Sequence, residues 1–183
     1  MSKHPQTISP RVIIIAYAVL FAVAWVWCAL DGRSLFDQRG DFNFALGIAI
    51  ALGGALAIGV ASRLLARLPA FGDLSHEFRT VLGDLSTTEI TTLALASGIA
   101  EEAFFRGAMQ PALGLIPTSA IFGLLHIGPT RKFLWWTASA LILGFALGLV
   151  AELAGNVAGA MLAHFTINYF NLHEIMKTGE TNA

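Results

Sequence analysis

The chain has 183 residues, 56% of them hydrophobic and 13% charged, with a mean hydropathy of +0.69. Soluble domains carry roughly 25% charged residues, so a water-soluble globule is excluded and a multi-span membrane protein is expected. A formal net charge of −1 gives no basic surface for nucleic acid, and the single cysteine, Cys28, excludes an intrachain disulfide or a cysteine-built metal site.

The first apolar run is VIIIAYAVLFAVAWVWCAL, Val12 to Leu30. As a helix, its roughly 19 residues rise about 28 Å, enough for a span. The run exceeds the apolar core of a signal peptide, about 7–15 residues, and no A-x-A site closes it, so a retained span is expected. The second run, 42–65, is rich in glycine and alanine, as in ALGGALAIG, which suits close helix packing in lipid. Residues 66–85 are polar and read as a loop with room for a short interfacial helix.

Ser86 and Glu89 have capping-box spacing and mark the start of a third helix, 87–110. Pro111 and Pro117 are expected to break the helical pattern. A fourth helix covers 117–127, the stretch GPTRK forms a loop, and a fifth helix covers 133–153. Gly155 separates it from a sixth, 156–172, and the tail beyond His173 is expected to fray. The fold class is therefore an all-α membrane protein, a polytopic bundle of about six transmembrane helices, in one membrane domain over 1–183. Two N-terminal spans lie in 12–65 and a core in 86–172.

Positive residues set orientation. With the N-terminus inside and six spans, Lys3, Arg11, Arg63, Arg67, Arg79, Arg131, Lys132 and Lys177 fall on the cytoplasmic side. Arg33 and Arg39 fall outside. Both termini are then cytoplasmic. Trp25 and Trp27 suit the outer aromatic belt, and Trp135 and Trp136 the inner one.

Against this apolar background a few polar groups stand out: Glu101, Glu102 and Arg106 on the third helix, His126 on the fourth, and His164 and Asn168 on the sixth. A charge at the bilayer centre costs about 2.5–3.5 kcal/mol even on lenient scales, so such residues face a bundle interior and point to function. Glu102 and Arg106 are i,i+4 and form an ion pair on one face. Glu101 is rotated by about 100° and is free to point into the bundle. His164 and Asn168 share a face, as do Phe122 and His126. At about 1.5 Å per residue, Glu101 lies roughly 22 Å from the start of its helix, His126 about 14 Å from Pro117 and His164 about 12 Å from Asn156. One common level in the outer half of the membrane accommodates all three.

A carboxylate and imidazoles in an apolar site can activate water as general bases. An imidazole and an amide N–H can stabilise an oxyanion. Alternatively, Glu101, His126 and His164 are plausible zinc ligands with a fourth position open to water, although the H-E-x-x-H spacing is missing.

Glu101-Glu102-x-x-x-Arg106, Phe122-x-x-x-His126 and His164-x-x-x-Asn168 resemble the three motifs of the CPBP family of intramembrane proteases, also called the CAAX-protease or Abi family. The resemblance covers about Ser86 to Asn171. It implies that Glu101 and His126 activate water, that His164 and Asn168 stabilise the oxyanion, and that Glu102 and Arg106 hold the geometry. It also implies a metal-free glutamate-type mechanism, with no cofactor, in a bacterial cell membrane. The implied partners are the lipid bilayer and a membrane-anchored protein substrate. The compact chain suits a dedicated processing enzyme, as in the myxosortase-like branch.

Blander readings attach to the same residues. Glu102 and Arg106 serve a purely structural bridge equally well, and Asn168 serves interhelical adhesion. A non-catalytic binding or immunity protein and a proton-relay transporter are the competing functions.

Overall fold

The computed structural model describes residues 8–36, 44–65, 67 and 69–178, and the elements formed by these residues are helical. The expected residues Lys3 and Arg39 lie outside the described set. Helix α1 spans Pro10–Leu30 with proline in its first turn, where the missing N–H costs nothing. Helix α2 spans Phe44–Leu65 and α3 spans Pro69–Leu82. Helix α4 spans Thr87–Glu102 and passes directly into a π-helical segment, Ala103–Met109. Helix α5 is Gln110–Leu113 and α6 is Leu115–Leu125. A 3₁₀ turn, Arg131–Phe133, leads into α7, Leu134–Ala154, and the chain closes with α8, Ala158–Thr178.

Three packing layers position the site. Helix α1 lies on α4 and the π segment, α4 on α8, and α2 on α7 and α8, while α6 packs on α7. Ala55, Ile58, Leu147, Val150, Ala151, Ala160, Ala163 and Ile167 form one buried cluster. Its small side chains let α2, α7 and α8 approach closely, as lipid-embedded helices require. The outer surface is apolar: Val12, Ile15, Val19, Leu125 and Ile142 are each at least 58% exposed. Water does not tolerate such a continuous patch, whereas lipid solvates it.

The chain is therefore an all-α membrane protein, with helices of unequal length. Among the described residues, Pro10–Leu30 and Arg131–Ala154 are long and apolar enough to cross a bilayer, while Gly47–Ala61 and Leu115–Leu125 are apolar but shorter. The polar groups of α4 and α8 and the eleven-residue length of α6 keep those helices below the same threshold.

Ser86 caps α4 as expected: its hydroxyl accepts from the Glu89 N–H at 3.3 Å, and Glu89 accepts from the Ser86 N–H at 2.8 Å. Several boundaries differ from expectation. The segment 66–85, expected as a loop with room for a short interfacial helix, holds the fourteen-residue helix α3. Leu74 is buried, and Phe78, one turn on, packs edge-on against Phe133 and Trp136. Trp136 therefore turns into the protein, while Trp135 remains 59% exposed. Trp27 likewise turns inward, against Phe104. Helix α8 continues to Thr178 rather than fraying at His173. Ile175 is buried, Arg79 donates to the Met176 carbonyl, and the Leu85 N–H reaches Met176 Sδ.

Pro111 does not end its helix. The chain continues to Leu113, and Gly114, at φ +89°, makes the break. That φ favours glycine because it has no Cβ to clash. Pro111 has no N–H for the Gly107 carbonyl one turn back. Arg33 Nη1 at 3.3 Å and Cys28 Sγ at 3.5 Å donate to that carbonyl instead, while Arg33 Nη2 reaches the Ala108 carbonyl at 3.2 Å. The π segment lies immediately upstream, and the Gln110 N–H bonds back to the Phe105 carbonyl. A π-bulge of this kind rotates the following residues and is frequent at functional sites. Helix α6 covers Leu115–Leu125, not 117–127, so Pro117 sits in its first turn and His126 at its C-cap.

Candidate active site

Helices α4, α6 and α8 bring the acidic pair and the two imidazoles together. Close backbone approach makes this possible. A Cβ built on Gly98 would lie 2.9 Å from the Phe165 backbone nitrogen and 3.3 Å from the Met161 carbonyl oxygen. Only glycine lets α4 and α8 touch there, and one turn later Glu101 and Glu102 face His164.

Glu102 and Arg106 are fully buried. Arg106 Nη1 donates to Glu102 Oε1 at 3.0 Å, and Arg106 Nη2 donates to the Gly144 carbonyl at 2.8 Å. The guanidinium also lies 4.4 Å above the centroid of the Phe122 ring, a cation–π contact. The same Glu102 Oε1 meets His164 Nδ1 at 2.7 Å. A carboxylate held against Arg106 only accepts hydrogen bonds, so His164 carries a proton on Nδ1 and turns Nε2 toward Glu101. The sequence spacing showed the Glu102–Arg106 pair but not this second duty of Glu102.

His126 is oriented in the same manner. Its Nδ1 lies 2.6 Å from the Phe122 carbonyl oxygen. A carbonyl only accepts, so a proton sits on Nδ1 and Nε2 is turned toward Glu101. Thr137 donates to the His126 carbonyl at 2.8 Å, and the Trp136 ring lies 5.0 Å from the imidazole. The Phe122 ring packs against both imidazoles, at 4.4 Å from His126 and 6.0 Å from His164.

The two Nε2 atoms converge on one oxygen. Glu101 Oε2 is 3.8 Å from His126 Nε2 and 3.9 Å from His164 Nε2. These distances are too long for direct hydrogen bonds and suit groups that share one small polar molecule. The Tyr17 hydroxyl of α1 interacts electrostatically with the Glu101 carboxylate. Asn168 lies one turn beyond His164, and its Nδ2 donates to Ser97 Oγ at 2.8 Å. No cluster of three or more His, Cys, Asp or Glu arranged to hold a metal ion occurs among the described residues.

All six expected residues thus lie in one neighbourhood. Sequence reasoning missed Tyr17, Ser97, Thr137 and Trp136. Tyr17 had a signal, as the tyrosine of the first apolar run. Ser97 lies one turn before Glu101 on the same face, and Thr137 is a lone hydroxyl in an apolar helix. Trp136 had no signal beyond its type.

The sequence profile described as "Type II CAAX prenyl endopeptidase Rce1-like" matches residues 84–170, the stretch that holds Ser97, the acidic pair and both imidazoles. "Uncharacterized protein YpbD" of Bacillus subtilis (strain 168) is 37% identical over 90 residues, covering 49% of this chain and 47% of that protein. The chain thus spans about half the length of the curated relative it matches. No solved structure matches it. Over residues 84–170, the chain is similar to the Rce1-like family of type II CAAX prenyl endopeptidases.

Proposed function

We propose that this protein is an intramembrane endopeptidase that hydrolyses a peptide bond of a membrane-associated or C-terminally anchored protein. The observation that carries the proposal is the Glu101 carboxylate set 3.8 and 3.9 Å from two imidazole Nε2 atoms, each ring tethered through Nδ1. The family is a protease family, which supports the same reading.

The roles follow from hydrogen-bonding capacity. A water between Glu101 Oε2 and His126 Nε2 gives up a proton to this pair as its oxygen attacks the scissile carbonyl carbon. The carbonyl oxygen becomes an oxyanion. His164, with Nδ1–H already committed to Glu102, donates from Nε2 only as an imidazolium, the form suited to a developing negative charge. The second N–H of the Asn168 amide points to the same work. Collapse of the tetrahedral centre breaks the C–N bond, and the proton taken from water passes to the leaving nitrogen. Glu102 and Arg106 hold His164 in place.

In this reading the enzyme resides in a bacterial cell membrane with both ends cytoplasmic. Arg79, Arg131, Lys132 and Lys177 support that orientation: Lys132 pairs with Glu77 of α3 at 2.9 Å, and Arg79 of α3 bonds to Met176 near the end of α8. The mechanism calls on no cofactor. A zinc-dependent variant would use Glu101, His126 and His164, and metal analysis of the purified protein separates the two.

The test compares membrane proteomes. A deletion strain carrying the wild-type gene, Glu101→Ala or His126→Ala is examined for a precursor that only the variants retain. Normal conversion of every membrane protein in either alanine strain, with the variant inserted at wild-type level, ends the hydrolase reading and favours a binding or immunity role.

A further inference from the structure

The structure offers a residue for this site that the three motifs do not include. Ser97 lies in α4 one turn before Glu101 and is 4% exposed. Its hydroxyl lies 3.2 Å from the Ala94 carbonyl oxygen and 2.8 Å from Asn168 Nδ2. The two bonds form one relay. A carbonyl oxygen only accepts, so in this relay the Ser97 proton goes to Ala94. The Ser97 oxygen can then only accept, so it takes the NH₂ end of the Asn168 amide and refuses the carbonyl end. This relay from Ala94 through Ser97 to Asn168 favours the amide orientation with Nδ2 toward Ser97.

We infer that Ser97 is a positioning residue, which selects the amide orientation of Asn168 and thereby aims its second N–H. This deepens the hydrolase reading and rests on it. Without that bond nothing holds the N–H toward the site, and a carbonyl oxygen facing an oxyanion repels it. Ser97 reaches no reacting group itself, so its whole effect passes through Asn168. Its place one turn from Glu101, on α4, also locks the α8 amide to the helix that carries the acid.

Two measurements decide the matter. The first follows conversion of the precursor that Glu101→Ala cells retain, by pulse-chase. Ser97→Ala should slow conversion about tenfold, the loss expected for one hydrogen bond of ordinary strength. Ser97→Thr, which keeps the hydroxyl, should restore most of it. In an Asn168→Ala background, Ser97→Ala should cause no further slowing. A wild-type rate for Ser97→Ala overturns the assignment, as does an additional tenfold loss in the Asn168→Ala background.

The second measurement needs no substrate. Thermal unfolding in detergent is compared for Ser97→Ala, Asn168→Ala and the pair. The pair should melt no lower than the worse single variant, because both singles remove one bond. Additive shifts overturn the bond itself. If no precursor exists, the hydrolase reading falls by its own test, while this cycle still decides whether Ser97 holds Asn168.

Discussion

Replacing Glu102 by glutamine removes a charge while keeping the shape of the side chain. Glu102 and Arg106 are both fully buried, and one carboxylate oxygen serves Arg106 at 3.0 Å and His164 at 2.7 Å. The amide oxygen can occupy the same position, so contacts alone predict a mild effect. Electrostatics predicts a severe one. Breaking a buried ion pair by removing one partner costs about 3–5 kcal/mol, because the remaining charge stays desolvated. Glu102→Gln should therefore lose about that much stability. Removing both charges, in Glu102→Gln with Arg106→Met, should recover a large part, since a buried pair is often replaceable by apolar groups. Denaturant unfolding of the purified protein in detergent measures both. The double variant should remain inactive despite its recovered stability, because His164 has lost its anionic partner. A Glu102→Gln protein within about 1 kcal/mol of wild type, or a double variant no more stable than the single, would refute the argument from uncompensated charge.

Gly98→Ala should gain up to about 1 kcal/mol of helix propensity and lose about 1–3 kcal/mol to overpacking. Its Cβ meets the α8 backbone at 2.9 Å, and that backbone cannot rotate aside. The measurable result is a protein of near-normal or slightly reduced melting temperature with strongly impaired precursor conversion, as α8 shifts His164 away from Glu102. Thr137→Val removes the 2.8 Å bond to the His126 carbonyl. It should cost about 1 kcal/mol in unfolding experiments and slow conversion more than its stability loss explains. Tyr17→Phe keeps the ring of α1 and deletes the hydroxyl that interacts electrostatically with Glu101. Conversion should slow several-fold with insertion unchanged, and an unaltered rate would assign that hydroxyl to packing alone.

Local features were legible in the residues because they depend on near neighbours. The capping box at Ser86 and Glu89, the Glu102–Arg106 pair and the separation of α7 from α8 at Gly155 all need only helical spacing and a chain's own caps. The apolar runs likewise announced a helical membrane protein, since lipid admits helices whose backbone groups are satisfied internally. Pro111 misled because its helix-breaking tendency is local, whereas the repair comes from Arg33 and Cys28 across the fold. The fourteen-residue extent and docking of α3 were not legible, because its polar face hid the Leu74 and Phe78 stripe that docks it.

The assignment of partners belonged to tertiary structure alone. The sequence determined that two glutamates point in different directions, and that two histidines and an asparagine lie inside apolar segments. It contained nothing to say that Glu102 would hold His164 or that Asn168 would bond to Ser97. Helical periodicity decides which side of a helix a residue occupies. Which residue it meets across an interface depends on how near two backbones come, and here that was decided by the missing Cβ of Gly98 and by the turn that leaves His126 beyond the end of α6.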